Sequence, residues 1–380
     1  MIDFFRKLIK PKYWPLNEIQ IIKRNILENF AYLQSIQKDA TIFPVLKSNA
    51  YGHGLKELCQ ILNESSAKAV IVDSFPEAQI AYKNFRKKVI ILNEMPLQAY
   101  GYCRLDRSEF CVYNLATIKH LADKYPGAFI HLFVNTGMNR EGIGNFKEFM
   151  GQAKKHLNKL NVVGLCSHLA SAEISSDLND KQLNNFLNYL EILNNSGFHP
   201  KIVHLGNSAG IFTINNPKIN AYRAGIALYG YNMFSPEHPA YKAASGLKPA
   251  LRLLSTVSAT QDLKPGDSAS YNESYIATKA TKIATIPFGY YEGLDRRLSS
   301  LGEFKIMNNK PFFAKIAGRV CMNLTCLDCQ DNDVAIGDRV ELISLDNSAP
   351  NSVNNLAKLE NTISYEILTD LQSNIHREII

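Results

Sequence analysis

The 380-residue chain predicts a (β/α)8 barrel of the TIM type followed by a smaller β-rich C-terminal domain, and three observations carry that expectation. Short apolar, β-branched runs recur eight times through the first two-thirds of the sequence. Most of the segments between them read as helices. After about residue 245 the texture changes to strand-like runs broken by Pro-Gly, Gly-Asp and Asn-Asn turns. Strands that alternate with helices favour a parallel sheet, and eight such units fill the ~250 residues of a closed barrel.

In chain order the eight runs fall at 41–47, 69–73, 89–92, 110–113, 129–135, 162–168, 202–207 and 222–229. The clearest helix between them begins near Asn179. There Leu183, Phe186, Leu187, Leu190 and Leu193 recur at helical spacing, and Asn195, Ser196 and Gly197 stop it. Past residue 245, the stretches 250–271, 281–289, 312–320 and 334–344 read as strands joined by tight turns. A terminal helix from about Asn355 completes that part. The expected domains are therefore 12–245 and 246–380, with residues 1–11 available to add to the second.

Composition narrows the class. With 46% hydrophobic and 20% charged residues the chain reads as a soluble globular protein. A net charge of +7, spread over scattered Lys and Arg, argues against a nucleic-acid partner but suits a small anionic ligand. Seven dispersed cysteines, an odd number, point to reduced thiols and a cytoplasmic location. The single CxxC at Cys326 and Cys329, with Cys321 upstream, lacks a fourth ligand at recognisable spacing, so no metal is expected. The N-terminus has no signal-peptide pattern and no window reaches the ~18 apolar residues of a spanning helix, so no membrane is expected either.

Catalytic groups of such barrels sit where the strands end. The predicted ends carry Lys47, Asp73, Asn93, Asn135, His168, Asn207 with Ser208, and Arg223. Asp73 and Asn93 read as turn formers. Lys47 and His168 do not, because neither residue type favours turns. A lysine at a strand end serves either as a point charge for an anion or as the amine of a Schiff base. Tyr51 and the glycines of "NAYGHG" follow it and let backbone and ligand approach closely. The loops 204–210 and 223–230, rich in small residues and carrying Ser208, suit a phosphate. A Schiff-base lysine beside a phosphate cradle points to pyridoxal 5′-phosphate. His131, inside a predicted strand, reads as a satisfied barrel histidine, and His53 as turn packing.

"VLKSNAYGHG" resembles the cofactor-attachment segment of bacterial alanine racemases, and the likeness runs along nearly the whole chain. "VNTGMNREG", "GLCSHLASAE", "HLGNSA", "RAGIALYG", "SASYNESY", "IPFGYYEGL", "GRVCMN" and "ISYE" follow in family order. The resemblance implies that Lys47 holds pyridoxal 5′-phosphate and serves as one base. It gives the phosphate to Tyr51, Asn207, Ser208, Gly225 and Ile226, and the pyridine nitrogen to Arg223. Tyr271 matches the family's second base, acting in the partner subunit's site, with His168 and Arg223 tuning it. Arg140 and the Met322 backbone would receive the substrate carboxylate, and Tyr290 would line the entrance. It further implies a cytoplasmic homodimer that racemises alanine for peptidoglycan.

Departures from the family pattern concern charge around the carboxylate site. Phe133 stands where the family usually has a lysine, often carbamylated, that helps fix the carboxylate-binding arginine. Asn135 and Asn323 stand where aspartates are usual. Arg140 must then be positioned differently, and Asn135 is the expected partner. A racemase shifted toward serine or basic amino acids stays open on these grounds, and behind it a decarboxylase or a cofactor carrier.

Overall fold

The computed structural model describes residues 14–380, so the expected contribution of residues 1–11 lies outside the described part. A short strand, β1 (Glu18–Ile21), and a helix (Lys23–Ile36) precede the barrel. Eight parallel strands follow: β2 (Thr41–Pro44), β3 (Ala69–Val72), β4 (Lys88–Ile91), β5 (Ser108–Val112), β6 (Phe129–Phe133), β7 (Asn161–Cys166), β8 (Ile202–His204) and β9 (Ala221–Ala224). Their order is β2-β9-β8-β7-β6-β5-β4-β3. The ring closes where Val45 bridges Ile71 and the Leu46 N–H donates to the Ile71 carbonyl at 2.7 Å. Each of the eight predicted runs overlaps one of these strands, with starts off by up to two residues, and the (β/α)8 barrel stands as expected.

β3 and β4 are nearly continuous in Val and Ile because both faces are covered. β3, with the sequence AVIV, is buried at every position. Helices Leu55–Leu62, Phe75–Asn84, Leu115–Lys124, Phe146–Leu157 and Asp177–Asn195 supply much of the cover. Between β4 and β5 the chain makes only a 3₁₀ turn, Leu97–Tyr102. In the helix Asp177–Asn195 the buried positions are Gln182, Phe186, Leu190 and Leu193. Leu183 and Leu187 sit at its margin, and a glutamine occupies the core in their place.

The chain forms two compact units. One is residues 21–251 with 379–380; the other comprises the described residues up to 20 together with 252–378. In the second, β10 (Leu251–Thr256), β11 (Ala259–Leu263), β14 (Thr281–Ile286), β15 (Glu303–Met307), β16 (Phe312–Ile316), β17 (Thr325–Asp328) and β18 (Arg339–Ile343) join one sheet with β1 and β19 (His376–Ile379). The two-residue strands β12 (Ser268–Ala269) and β13 (Tyr275–Ile276) form a separate ribbon. The single terminal helix expected from Asn355 is two short ones, Val353–Leu359 and Ser364–Thr369. Among the described residues no helix is long and apolar enough to cross a membrane.

At the end of the first of these helices, Glu360 is buried near Arg297, which also holds Asp295 at 2.7 Å. Burial and the Asp295 carboxylate push Glu360 up to about 7 despite Arg297. Folding therefore takes up a proton between the ordinary glutamate range and about pH 7, and stability is lost as pH rises through that window. Glu360→Gln is expected to raise the melting temperature at pH 8 by roughly 2–4 °C, about what 1 kcal/mol does in a unit of this size. It should change little at pH 4; equal shifts at both pH values in a melting series would refute the assignment.

Candidate active site

The rim of the barrel where the strands end gathers most of the residues expected there. After β2 the backbone enters an unusual turn: Ser48, Asn49, Ala50 and Tyr51 all have φ between 51° and 54°. Left-handed residues with side chains cost ~1–2 kcal/mol each, so surrounding bonds must impose this conformation. The Glu77 carboxylate accepts from the Ser48 N–H at 2.6 Å and from the Asp73 N–H at 2.8 Å. The Asn49 side chain accepts from the Leu55 N–H at 2.9 Å. The Ala50 N–H reaches back to the Leu46 carbonyl at 2.8 Å. Lys47 opens this turn with its Nζ 3.6 Å from Asp73 Oδ1. Asp73 is thus the lysine's counter-ion as well as a strand-end residue, and Asn93 donates to its other oxygen at 2.6 Å.

Tyr51 is driven inward by the same turn, its ring tilted 5.0 Å from that of Tyr229, whose hydroxyl donates to the Val45 carbonyl at 2.7 Å. Burial, with the Asp73 charge adding to it, pushes the Tyr51 phenol up to about 12, so it stays a donor. Its oxygen lies against the turn after β9. A Cβ on Gly225 would stand 2.6 Å from the Tyr51 Oη, so a larger residue there would displace the phenol. The Ser208 Oγ accepts from the Gly225 and Ala227 N–H groups at 2.9 and 3.2 Å, which occupies both lone pairs and leaves its own proton to donate. The Asn207 side chain accepts from the Gly210 N–H at 3.0 Å and shapes the loop that carries Ser208. The buried N–H of Ile226 takes no acceptor among the described residues. Tyr51, Asn207, Ser208, Gly225 and Ile226 are brought together, and the Ser208 hydroxyl and Ile226 N–H beside a glycine-lined hollow are donors of the kind a phosphate needs.

Arg223 lies within β9 and is 4% exposed. Its Nη1 donates to the carbonyl and Nδ1 of His204 at 3.0 and 3.1 Å. Its Nη2 donates to Ser167 O at 2.6 Å, Leu205 O at 3.1 Å and His168 Nδ1 at 3.2 Å. These five acceptors engage the four terminal protons, one of them shared on Nη2, and among the described residues leave the Nε–H without an acceptor. A buried guanidinium with one unused donor fits an acceptor such as a ring nitrogen. Burial, then the positive Arg223, Arg140 and Lys47, push the His168 imidazole down to about 3, so it is uncharged at neutral pH.

Arg140 sits on the loop after β6, which folds back so that Val134 bridges Ile143. Asn135 does not hold it: its Oδ1 accepts from the Gly137 and Asn139 N–H groups at 3.0 and 3.1 Å, and its Nδ2 donates to Asn139. The partner is Glu141, whose Oε1 takes the Arg140 Nε–H at 3.1 Å and Nη2–H at 2.6 Å. The expectation for Asn135 is corrected accordingly, because a short amide at a turn is spent on the turn's own backbone. Phe133, Glu141 and His168 line one small void. Gln182 is a further residue the sequence reading missed. Its side chain binds the Ala170 N–H at 2.8 Å, the His168 carbonyl at 2.9 Å and Thr136 Oγ1 at 3.2 Å, tying the His168 loop to the Arg140 loop. A lone polar residue in an apolar helical stripe was the only signal for it.

Tyr271, Tyr290 and Met322 belong to the β-rich unit. Tyr271 opens a 3₁₀ turn after β12, and Ser270 beside it exchanges hydrogen bonds with the Arg319 backbone at 2.8 and 3.0 Å. The Tyr290 and Tyr291 N–H groups donate to the Cys321 and Met322 carbonyls at 3.0 and 2.9 Å. Three loops are thereby tied into one cluster, where Tyr271, Tyr290 and Met322 are all exposed. Asn323 donates to Glu292 at 2.8 Å.

Comparison with known proteins agrees with this geometry. Residues 21–233 match the family model "alanine racemase, N-terminal domain", and 250–379 match "alanine racemase, C-terminal domain". The alanine racemase of Clostridium perfringens is 31% identical over 377 residues, covering 96% of this chain and 94% of that protein. The crystal structure of the Bacillus anthracis alanine racemase with bound L-Ala-P superposes with a TM-score of 0.87 at 28% identity, covering 97% of this chain and 96% of the other. The Bartonella henselae alanine racemase with covalently bound pyridoxal phosphate gives 0.83 at 26% identity, covering 96% and 99%. With both halves matched and a relative 31% identical over nearly its whole length, the chain belongs to the alanine racemase family.

Proposed function

We propose that the protein interconverts L- and D-alanine by a two-base reaction dependent on pyridoxal 5′-phosphate, in a homodimer, supplying D-alanine for cytoplasmic steps of peptidoglycan synthesis. The single observation that carries this is the coincidence, on one barrel rim, of Lys47 with a glycine-lined hollow beside the Ser208 hydroxyl and Ile226 N–H, and of a buried Arg223 whose Nε–H has no acceptor among the described residues. The residues fit the cofactor: Tyr51, Ser208 and Ile226 would take its phosphate with Asn207 and Gly225 shaping the hollow, and Arg223 its ring nitrogen. When bound, the cofactor supplies an electron sink that makes the substrate's α C–H acidic.

Each remaining step belongs to the chain's own groups. Lys47 Nζ holds or delivers a proton on one face of the α-carbon. Tyr271 Oη does so on the opposite face, and inversion needs both. An arginine does not give up its proton, so Arg223 would hydrogen-bond the ring nitrogen without protonating it, leaving the ring a weaker electron sink. That favours quick reprotonation over side reactions. Arg140, braced by Glu141, and the Met322 backbone receive the carboxylate, and Tyr290 narrows the entrance. Support for Tyr271 serving a partner subunit is its exposure on the loop cluster that also carries Tyr290 and Met322. His168 and Arg223 would tune it there.

The test is incubation of the protein plus pyridoxal phosphate with single L-amino acids in deuterated water, scoring chirality and α-deuteration. Alanine is expected to racemise fastest. Serine, lysine or arginine leading would overturn the substrate assignment, and deuteration of none of them would overturn the reaction.

A further inference from the structure

A line of polar side chains crosses the interior of the barrel, from the start of β5 toward Arg223. Glu109 Oε2 lies 2.8 Å from His131 Nε2, His131 Nδ1 lies 3.0 Å from His204 Nε2, and His204 Nδ1 lies 3.1 Å from Arg223 Nη1. Both histidines and the arginine are buried, and Glu109 is 12% exposed at its side chain. His131 is on β6 and His204 on β8, so the contact must pass over β7. The fold makes room for it there. The β6–β7 register skips a residue between Ile130 and His131, which sets Gly164 opposite His131, and a Cβ on Gly164 would stand 1.9 Å from the His131 ring. A bulge and a glycine placed to let one ring reach another are a built feature.

Hydrogen-bond accounting gives this line a direction. An arginine only donates, so His204 Nδ1 accepts and its proton sits on Nε2. That proton goes to His131 Nδ1, which places the His131 proton on Nε2. Only an acceptor can follow, and Glu109 is one. The opposite order would set a His204 Nδ1–H against an Arg223 N–H. Around Arg223, His168 Nδ1 likewise accepts, so its proton is on the outer Nε2. Although burial works against the Glu109 carboxylate, His131 and Lys88 hold it below the ordinary range, and it remains an anion.

We propose that Glu109 and His131 are positioning residues that fix the tautomer of His204, so that Arg223 spends its terminal protons inside the barrel and presents only its Nε–H to a ligand. Chains of bonds polarised in one sense reinforce each other, and the negative end offsets the buried guanidinium from two imidazoles away. The kinetic consequence rests on the reading of Arg223 as partner of the cofactor ring; the tautomers themselves do not.

The test uses full-length protein without cofactor, labelled with 15N-histidine, and reads tautomers from two-bond 1H–15N correlations. His131, His204 and His168 are expected as Nε2–H tautomers. In Glu109→Leu the His131 Nε2–H loses its acceptor, and His131 and His204 should become tautomer mixtures. Glu109→Gln, whose amide oxygen still accepts, should keep the wild-type pattern. With pyridoxal phosphate and alanine, Glu109→Leu should lower kcat about tenfold to a hundredfold, the range of a lost charge-assisted hydrogen bond, with KM moving less than about threefold. An Nδ1–H tautomer at His131 or His204 in the wild-type protein would overturn the proposal even if Glu109→Leu failed to fold. So would a folded Glu109→Leu with unchanged tautomers. Absence of racemase activity in the wild-type protein would touch only the kinetic arm.

Discussion

Lys47→Ala is expected to abolish racemisation, lowering kcat for alanine by roughly 10⁴-fold or more, as removal of a covalent nucleophile that doubles as a base does. The loss should not come from unfolding. Lys47 is partly exposed and its only ion pair among the described residues is a 3.6 Å contact with a partly exposed Asp73. Pairs of that kind contribute ~0–1 kcal/mol. Melting temperature should therefore hold while activity disappears. Borohydride reduction of the wild-type protein loaded with pyridoxal phosphate, followed by peptide mapping, should find a single pyridoxyl group on the peptide carrying Lys47. The same treatment of the variant should find none there. More than about a hundredth of the wild-type rate remaining in Lys47→Ala, too much for a lost nucleophile, would remove Lys47 from the mechanism.

Tyr271→Phe separates the two faces of the reaction. Racemisation should fall by about 10²- to 10⁴-fold, the usual worth of a general acid or base. Yet one alanine enantiomer should still exchange its α proton for deuterium without inversion, because Lys47 works on that face alone. Tyr271 is 66% exposed, so its hydroxyl is not needed for folding. Equal loss of exchange from both enantiomers would refute the two-base scheme. The two inactive variants also report on assembly. If Tyr271 of one subunit serves Lys47 of the other, dissociating and mixing Lys47→Ala with Tyr271→Phe restores about a quarter of the wild-type rate. Half of the dimers are then mixed, and each has one intact site. No recovery in chains shown to have exchanged would place both bases in one subunit.

How much of this was legible beforehand follows from which interactions are local. The eight barrel strands could be read because a strand buried on both faces has to be a short apolar run, whatever surrounds it. Lys47, Tyr51, Ser208, Arg223 and their neighbours were legible as residue types out of place at such strand ends, and as segments resembling a family. Helix boundaries read less well. Gln182 broke the apolar stripe expected of its helix because the loop it ties down lies twelve or more residues away in sequence.

What the amino-acid sequence determined by itself, then, is the order of strands and helices, the chemistry present at the strand ends and the family likeness. These depend on burial patterns and residue types that repeat within a few positions. The tertiary structure alone decided the pairings. It set four residues after Lys47 into left-handed backbone, which no propensity favours and which Glu77 from outside the turn and Asn49 from within it enforce. It gave Lys47 the counter-ion Asp73, and Arg140 the brace Glu141 where Asn135 was expected. It threaded Glu109, His131 and His204 toward Arg223 through a gap left by Gly164. Such contacts join residues from different strands, and a buried polar group accepts whichever partner the closed barrel brings within hydrogen-bond reach, because going without one costs more than any local preference supplies.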